Sequence, residues 1–88
     1  MKGERRMNDD DLSLTIFGCF RYSLGRMTYM PSLVVNVIKE NKHIFNQYDW
    51  ERFIQEIDEC KNLGMECDKQ TWYELKRFAN EMLKGEKG

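Results

Sequence analysis

An all-α domain of four short helices, packed orthogonally or as a bundle, is the fold class that this 88-residue sequence predicts. Three observations carry the prediction. Four segments place apolar residues three and four positions apart, the spacing of one helix face. Proline, glycine, asparagine and aspartate stand between those segments, where helices start and stop. No segment keeps the strict alternation of a half-buried strand.

Residues 1–10 read as a flexible tail, offering Arg5 and Arg6 but little to bury. Asp9, Asp10 and Asp11 supply caps and favourable negative charge for a helix start. The first helix is expected over 11–24, with Leu12, Ile16, Phe17, Phe20 and Leu24 inward. Leu14 and Cys19 add apolar character on other faces, so this helix is either central or meets another protein on one side. Gly25 is expected in the left-handed conformation just past its end. Pro31 suits the first position of a second helix over 31–41, with Leu33, Val34, Val37 and Ile38 inward.

A linker anchored by Ile44 and Phe45 follows, and Asn46 or Asp49 caps a third helix over 49–62. Trp50, Phe53, Ile54, Ile57 and Cys60 form its inner stripe, and Glu51, Gln55, Asp58 and Glu59 its outer face. Gly64 closes it. Met65 and Cys67 are expected to pack inward, and Asp68 to cap a fourth helix over 69–84. Thr71 and Glu74 have the spacing of a capping box and offer another start. Trp72, Leu75, Phe78, Ala79, Met82 and Leu83 face inward, and 85–88 is a second short tail.

Residues 11–84 therefore make one domain. A chain this short buries only about 60% of the surface that its unfolded form exposes. The apolar fraction is 41%, so the eleven aromatic residues must supply much of the core. Fourteen basic and fifteen acidic residues leave a net charge of −1, without the basic excess of a nucleic-acid binder. No run approaches the roughly 18 apolar residues of a membrane span. Cys19, Cys60 and Cys67 are an odd number without close spacing, and no apolar leader precedes them. A cytoplasmic protein with free thiols is the expectation.

The stretch Arg21-Tyr22-Ser23-Leu24-Gly25-Arg26-Met27-Thr28-Tyr29 is the hardest to explain as ordinary helix surface. A guanidinium fork beside a chain reversal can hold a carboxylate, a phosphate or a row of carbonyls. One reading is structural, with the Arg21 stem packed over the core and its charge paired. The other makes Arg21, Tyr22, Arg26 and Tyr29 a recognition surface, since arginine and tyrosine are frequent binding hot spots. The second unusual segment is Gly64-Met65-Glu66-Cys67-Asp68 with Trp72. Two carboxylates disfavour a thiolate at Cys67, which makes it a poor nucleophile. Pairing of Arg21 or Arg26 with Glu66 or Asp68 would join the two segments and make each explain the other.

His43 is the only histidine, and it lacks a metal-ligand spacing or a nucleophile motif. Glycines 18, 25 and 64 form no phosphate loop. No enzyme and no cofactor is therefore expected. The lysines and arginine of the last helix, Lys69, Lys76, Arg77 and Lys84, are interrupted by Glu74 and Glu81, a mixed face.

The segments 21–29 and 64–72 resemble those of small uncharacterised proteins of phages and prophages of Gram-positive bacteria, over roughly residues 12–75. The resemblance implies a context: an accessory protein that binds and modulates or inhibits a host protein, including components of bacterial immunity. A non-catalytic interaction module is thus the leading expectation, with Arg21, Tyr22, Arg26, Tyr29, Glu66 and Asp68 as candidate contacts and a homodimer through the first helix. The alternative, from a different class, is a nucleic-acid-associated protein using Arg5, Arg6, Arg21, Arg26 and the lysines of the last helix.

Overall fold

The computed structural model describes residues 9–26 and 30–87, without the side chains of residues 26, 86 and 87. Four helices and one short turn follow in order: α1 (Asp9–Arg26), α2 (Pro31–Glu40), a 3-10 turn (Lys42–Ile44), α3 (Gln47–Glu59) and α4 (Glu66–Lys87). No strand occurs among the described residues. The all-α four-helix domain predicted from the sequence is the architecture found.

Helix α1 opens on Asp9, Asp10 and Asp11, where carboxylates meet the positive end of the helix dipole. The Ser13 and Thr15 hydroxyls donate to the carbonyls of Asp10 and Asp11. Gly25 does not end the helix. It lies inside α1, and the glycine with positive φ among the described residues is Gly64, at 91°. Pro31, further on, bars the residue before it from helical geometry through its ring. Met30 is accordingly extended (φ −66°, ψ 129°) and its carbonyl accepts from the N–H groups of Leu33 and Val34.

Asn41 ends α2, and its side-chain amide donates to the Val37 carbonyl at 2.8 Å. Asn46 caps α3 in a reciprocal box. Its Oδ1 accepts from the Asp49 N–H at 2.9 Å, and Asp49 Oδ2 accepts from the Asn46 N–H at 3.0 Å. Helix α3 stops at Glu59, earlier than expected, and the extended residue Cys60 leads into a connection that buries Leu63. The Gly64 N–H donates to Asn62 Oδ1 at 3.0 Å within that connection.

Helix α4 starts at Glu66, so Asp68 sits in its first turn and does not cap it. Met65 and Cys67 point outward, contrary to expectation. The early start places Cys67 in the first turn of α4, and Met65 directly before it, while Leu63 is the residue of the connection that reaches the core. The capping box at Thr71 does not form, and the Thr71 hydroxyl donates instead to the Cys67 carbonyl one turn back.

Trp50, Phe53, Ile57, Trp72 and Leu75 are buried, as their spacing predicts, with Phe20, Ile38 and Ala79 beside them. Phe53 is the centre. Its ring meets Phe20 edge-on at 4.9 Å and 90°, and Phe45 at 5.2 Å and 80°, with Phe17 and Trp50 tilted against it. Phe20 also meets Trp72 edge-on at 5.5 Å, which ties α1 to α4. Such pairs contribute about 0.5–1.5 kcal/mol each beyond their buried area. On α2 the buried side chains are Val34, Val35 and Ile38, while Leu33 is exposed. The expected stripe was turned by one position, because α2 packs against both α1 and α4 and its inner arc lies between them.

Replacing Phe53 by alanine should cost about 3–5 kcal/mol. That is a large share of the 5–15 kcal/mol typical of whole domains. Urea unfolding should show the midpoint falling well below that of the parent.

Candidate protein-binding face

Helix periodicity divides α1 into two sides. At about 100° per residue, Ile16, Phe20, Ser23 and Leu24 point to the core. Leu14, Gly18, Tyr22 and Gly25 point the other way. This outer side is unlike the solvated side of a surface helix, because none of the residues 12–20 carries a charge. Leu14 is 70% exposed and Tyr22 is 52% exposed. A side chain added at Gly18 or Gly25 would meet nothing within 4 Å among the described residues. A shallow depression of about 470 Å³ lies over Gly18, Arg21, Tyr22 and Gly25.

Two further hollows flank it. An apolar groove of about 200 Å³ runs between α1 and α2, lined by Ile16, Cys19, Leu33, Val34 and Val37. On the other flank a hollow of about 260 Å³ is lined by Arg21, Leu24, Gly25, Glu56, Glu59 and Cys60. The Cys60 thiol there lies 3.7 Å from the Leu24 carbonyl and 3.3 Å from that of Asn62.

Arg21 borders the face without being packed into the core. Its side chain is 59% exposed, and its Nε lies 3.8 Å from Glu56 Oε1 on α3. Glu56 is shared: its other oxygen lies 3.8 Å from Arg52 Nη2, and the Arg52 guanidinium stands 4.8 Å over the Phe17 ring. The expected partners of Arg21, Glu66 and Asp68, make no ion pair among the described residues. Phe20 and Leu24 turn inward on either side of Arg21, which aims it along the flank towards the last turns of α3. Glu66 and Asp68 instead begin α4, beyond the connection. Tyr22 lies on the outer face. Arg26 closes α1, but its side chain, like the whole of Tyr29, lies outside the described residues.

The opposite side of the domain is charged and internally paired. Lys76 Nζ lies 2.6 Å from Asp58 Oδ1, joining α4 to α3, and Lys39 Nζ lies 2.5 Å from Glu74 Oε2, joining α2 to α4. The Lys39 ammonium also stands 5.5 Å over the Phe78 ring. Its hydrogen bond and charge hold the Glu74 carboxyl below the ordinary value. His43 is exposed in the 3-10 turn. Among the described residues no group of histidine, cysteine and carboxylate side chains is placed to hold a metal ion. No helix among them is long and apolar enough to cross a membrane.

Sequence reasoning found Leu14, Cys19, Arg21 and Tyr22 but missed Gly18, Leu33 and Glu56. Gly18 carried a signal, a glycine inside a strong helical pattern, which calls for a packing or functional reason. Glu56 carried none, since its meeting with Arg21 depends on how α3 lies against α1.

Fold and face together define a small all-α domain with one helix side that is partly apolar and uncharged over 12–20, and another side that carries ion pairs between helices. Compared with protein-family models, curated proteins and solved structures, the chain matches none of them.

Two outcomes follow. Arg21→Ala should lower stability by less than about 1 kcal/mol in urea melts, since the pair is exposed and Glu56 keeps Arg52. For Glu74 the folded carboxyl is the stronger acid, so its contribution is present above its ordinary value of 4.5 and fades as pH falls through the lower, folded value. An NMR titration of Glu74 should show this depression, and Lys39→Met should return the midpoint towards the ordinary value.

Proposed function

We propose that this chain is a non-catalytic protein-interaction module, and that the outer face of α1 with its two flanking hollows is its binding surface. One observation carries the reading. The longest uncharged stretch of the helical surface, 12–20, presents Leu14 to solvent on a helix whose inner side is already fully used by the core. Single exposed apolar residues are ordinary. Here Leu14, Tyr22 and the α1–α2 groove lie on adjoining sides of one helix, and such patches mark interaction sites in soluble domains. Arg21 at the rim supplies a charge for orientation, in keeping with the polar rim and apolar centre of protein interfaces.

The resemblance to small phage and prophage proteins makes a host or phage protein the partner, and modulation or inhibition of that protein the outcome. Proteins of bacterial immunity are the first class to test, in the cytoplasm of an infected or lysogenic cell. Binding to nucleic acid is the weaker alternative. The Arg21, Lys39, Arg52 and Lys76 charges each stand beside a carboxylate, which opposes a phosphate-binding stripe.

The test uses charge on the face. Leu14→Glu and Tyr22→Glu should each keep the melting temperature within a few degrees of the parent. Both should lose the partner captured by the tagged parent from host cells, whereas Lys84→Glu on α4 should keep it. Retention of that partner by both face variants would dismiss the reading. Gel-shift binding that weakens steeply with salt would favour the nucleic-acid alternative.

A further inference from the structure

We propose that two copies of this chain pair through α1, antiparallel, about a two-fold axis at Gly18. The inference rests on the reading of α1's outer face as a binding surface, and it names the first occupant of that face.

Charge sets the direction. The charged residues of α1 are Asp9, Asp10 and Asp11 in its first turn and Arg21 and Arg26 towards its end. Antiparallel pairing lays the acidic end of each copy beside the arginine end of the other. Parallel pairing would set like charges together. The helix dipoles favour the same direction.

Spacing sets the register. The positions that share the outer side and its edges, 11, 14, 15, 18, 21, 22 and 25, are symmetric about 18. With Gly18 of one copy against Gly18 of the second, Leu14 falls opposite Tyr22 of the second copy, and by symmetry this happens twice. Thr15 falls opposite Arg21 of the second copy, and the Asp10–Asp11 end reaches the Gly25–Arg26 end. The two exposed apolar side chains of the face, 70% and 52% exposed, thus cover each other. The depression over Gly18, Tyr22 and Gly25 becomes the seat of Leu14 from the second copy. At the crossing point Gly18 has no side chain, so the backbones approach closely. An 18-residue helix is only about 27 Å long. The contact is small, and the dimer should be a micromolar one. The α1–α2 groove lies to one side of the paired faces and stays available, once in each copy, for another protein.

Sedimentation equilibrium of the full chain, from low micromolar to near-millimolar concentration, tests the pairing. The parent should dimerise. Gly18→Leu extends into open space in a single copy and improves helix propensity, so its melting temperature should not fall. It should nevertheless raise the dissociation constant by about tenfold or more. Thr15→Arg should weaken the dimer by setting a second cation against Arg21 of the other copy, and adding Arg21→Glu to the same chain should restore it. A parent that stays monomeric throughout, a Gly18→Leu variant that dimerises unchanged, or a charge swap without rescue would each overturn the proposal. The two proposals fail separately. A monomeric parent whose partner capture is lost on Leu14→Glu removes the dimer and keeps the binding face. A dimer broken by Leu14→Glu with capture unchanged keeps the dimer and removes the face as the site for other proteins.

Discussion

The edge-to-face contact of Phe20 with Phe53 is the constraint from which the rest of this domain follows. The largest fully buried side chains of this 88-residue chain are aromatic, Trp50, Trp72, Phe20 and Phe53, and their interlocking sets how the aliphatic ones pack around them. Phe53 gathers Phe17, Phe20, Phe45 and Trp50 around itself, and Phe20 hands the contact on to Trp72. This fixes the rotation of α1 about its own axis. Once Phe20 points inward, Leu24 and Ile16 follow at one-turn spacing, and Leu14, Gly18, Tyr22 and Gly25 have no choice but to face outward. The position of the candidate face is therefore a consequence of core packing.

The two sides of the molecule handle charge differently. On the α2–α3–α4 side, lysines and carboxylates from neighbouring helices meet at hydrogen-bonding distance, as in Lys76 with Asp58 and Lys39 with Glu74. Each such pair contributes at most about 1 kcal/mol and offsets its own two charges. The Lys39 ammonium over the Phe78 ring adds a cation–π contact to an aromatic side chain that the core only partly encloses. On the α1 side the charges lie only at the helix ends and on one flank, so nothing electrostatic opposes the approach of another apolar surface to its middle.

Much of the fold was legible, and the parts that were not have physical causes. The stripes of α3 and α4 were read correctly because each of these helices has one dominant inner side, marked by Trp50, Phe53 and Ile57 or by Trp72, Leu75 and Ala79. The inner side of α2 was misread by one position, since a ten-residue helix lying between two neighbours has no single apolar stripe to display. Gly25 and Asp68 misled for a shared reason. Glycine permits a helix to end and aspartate permits one to begin, but neither compels it: α1 continues through Gly25 to Arg26, and α4 has already begun at Glu66. Of the candidate site, the residue types on α1 were visible and their partners were not. Arg21 meets Glu56 because of the packing of α3 on α1, a relation between helices that periodicity within one helix does not encode.

The composition of α1 also carries an energetic argument. Glycine in a helix costs about 0.5–1 kcal/mol relative to alanine, and α1 has two, at positions where a methyl group would meet nothing within 4 Å among the described residues. Intramolecular packing gives no return for that cost, nor for the exposure of Leu14. A small domain with marginal stability can carry it only because the aromatic cluster holds α1 from the inner side. Association offers the return. Any surface that binds the folded chain stabilises it by mass action, and covering Leu14 and Tyr22 recovers apolar area that folding alone leaves in water. The core thus gives α1 its place, and what α1 gives up in helix stability is exchanged for a backbone that another surface can approach.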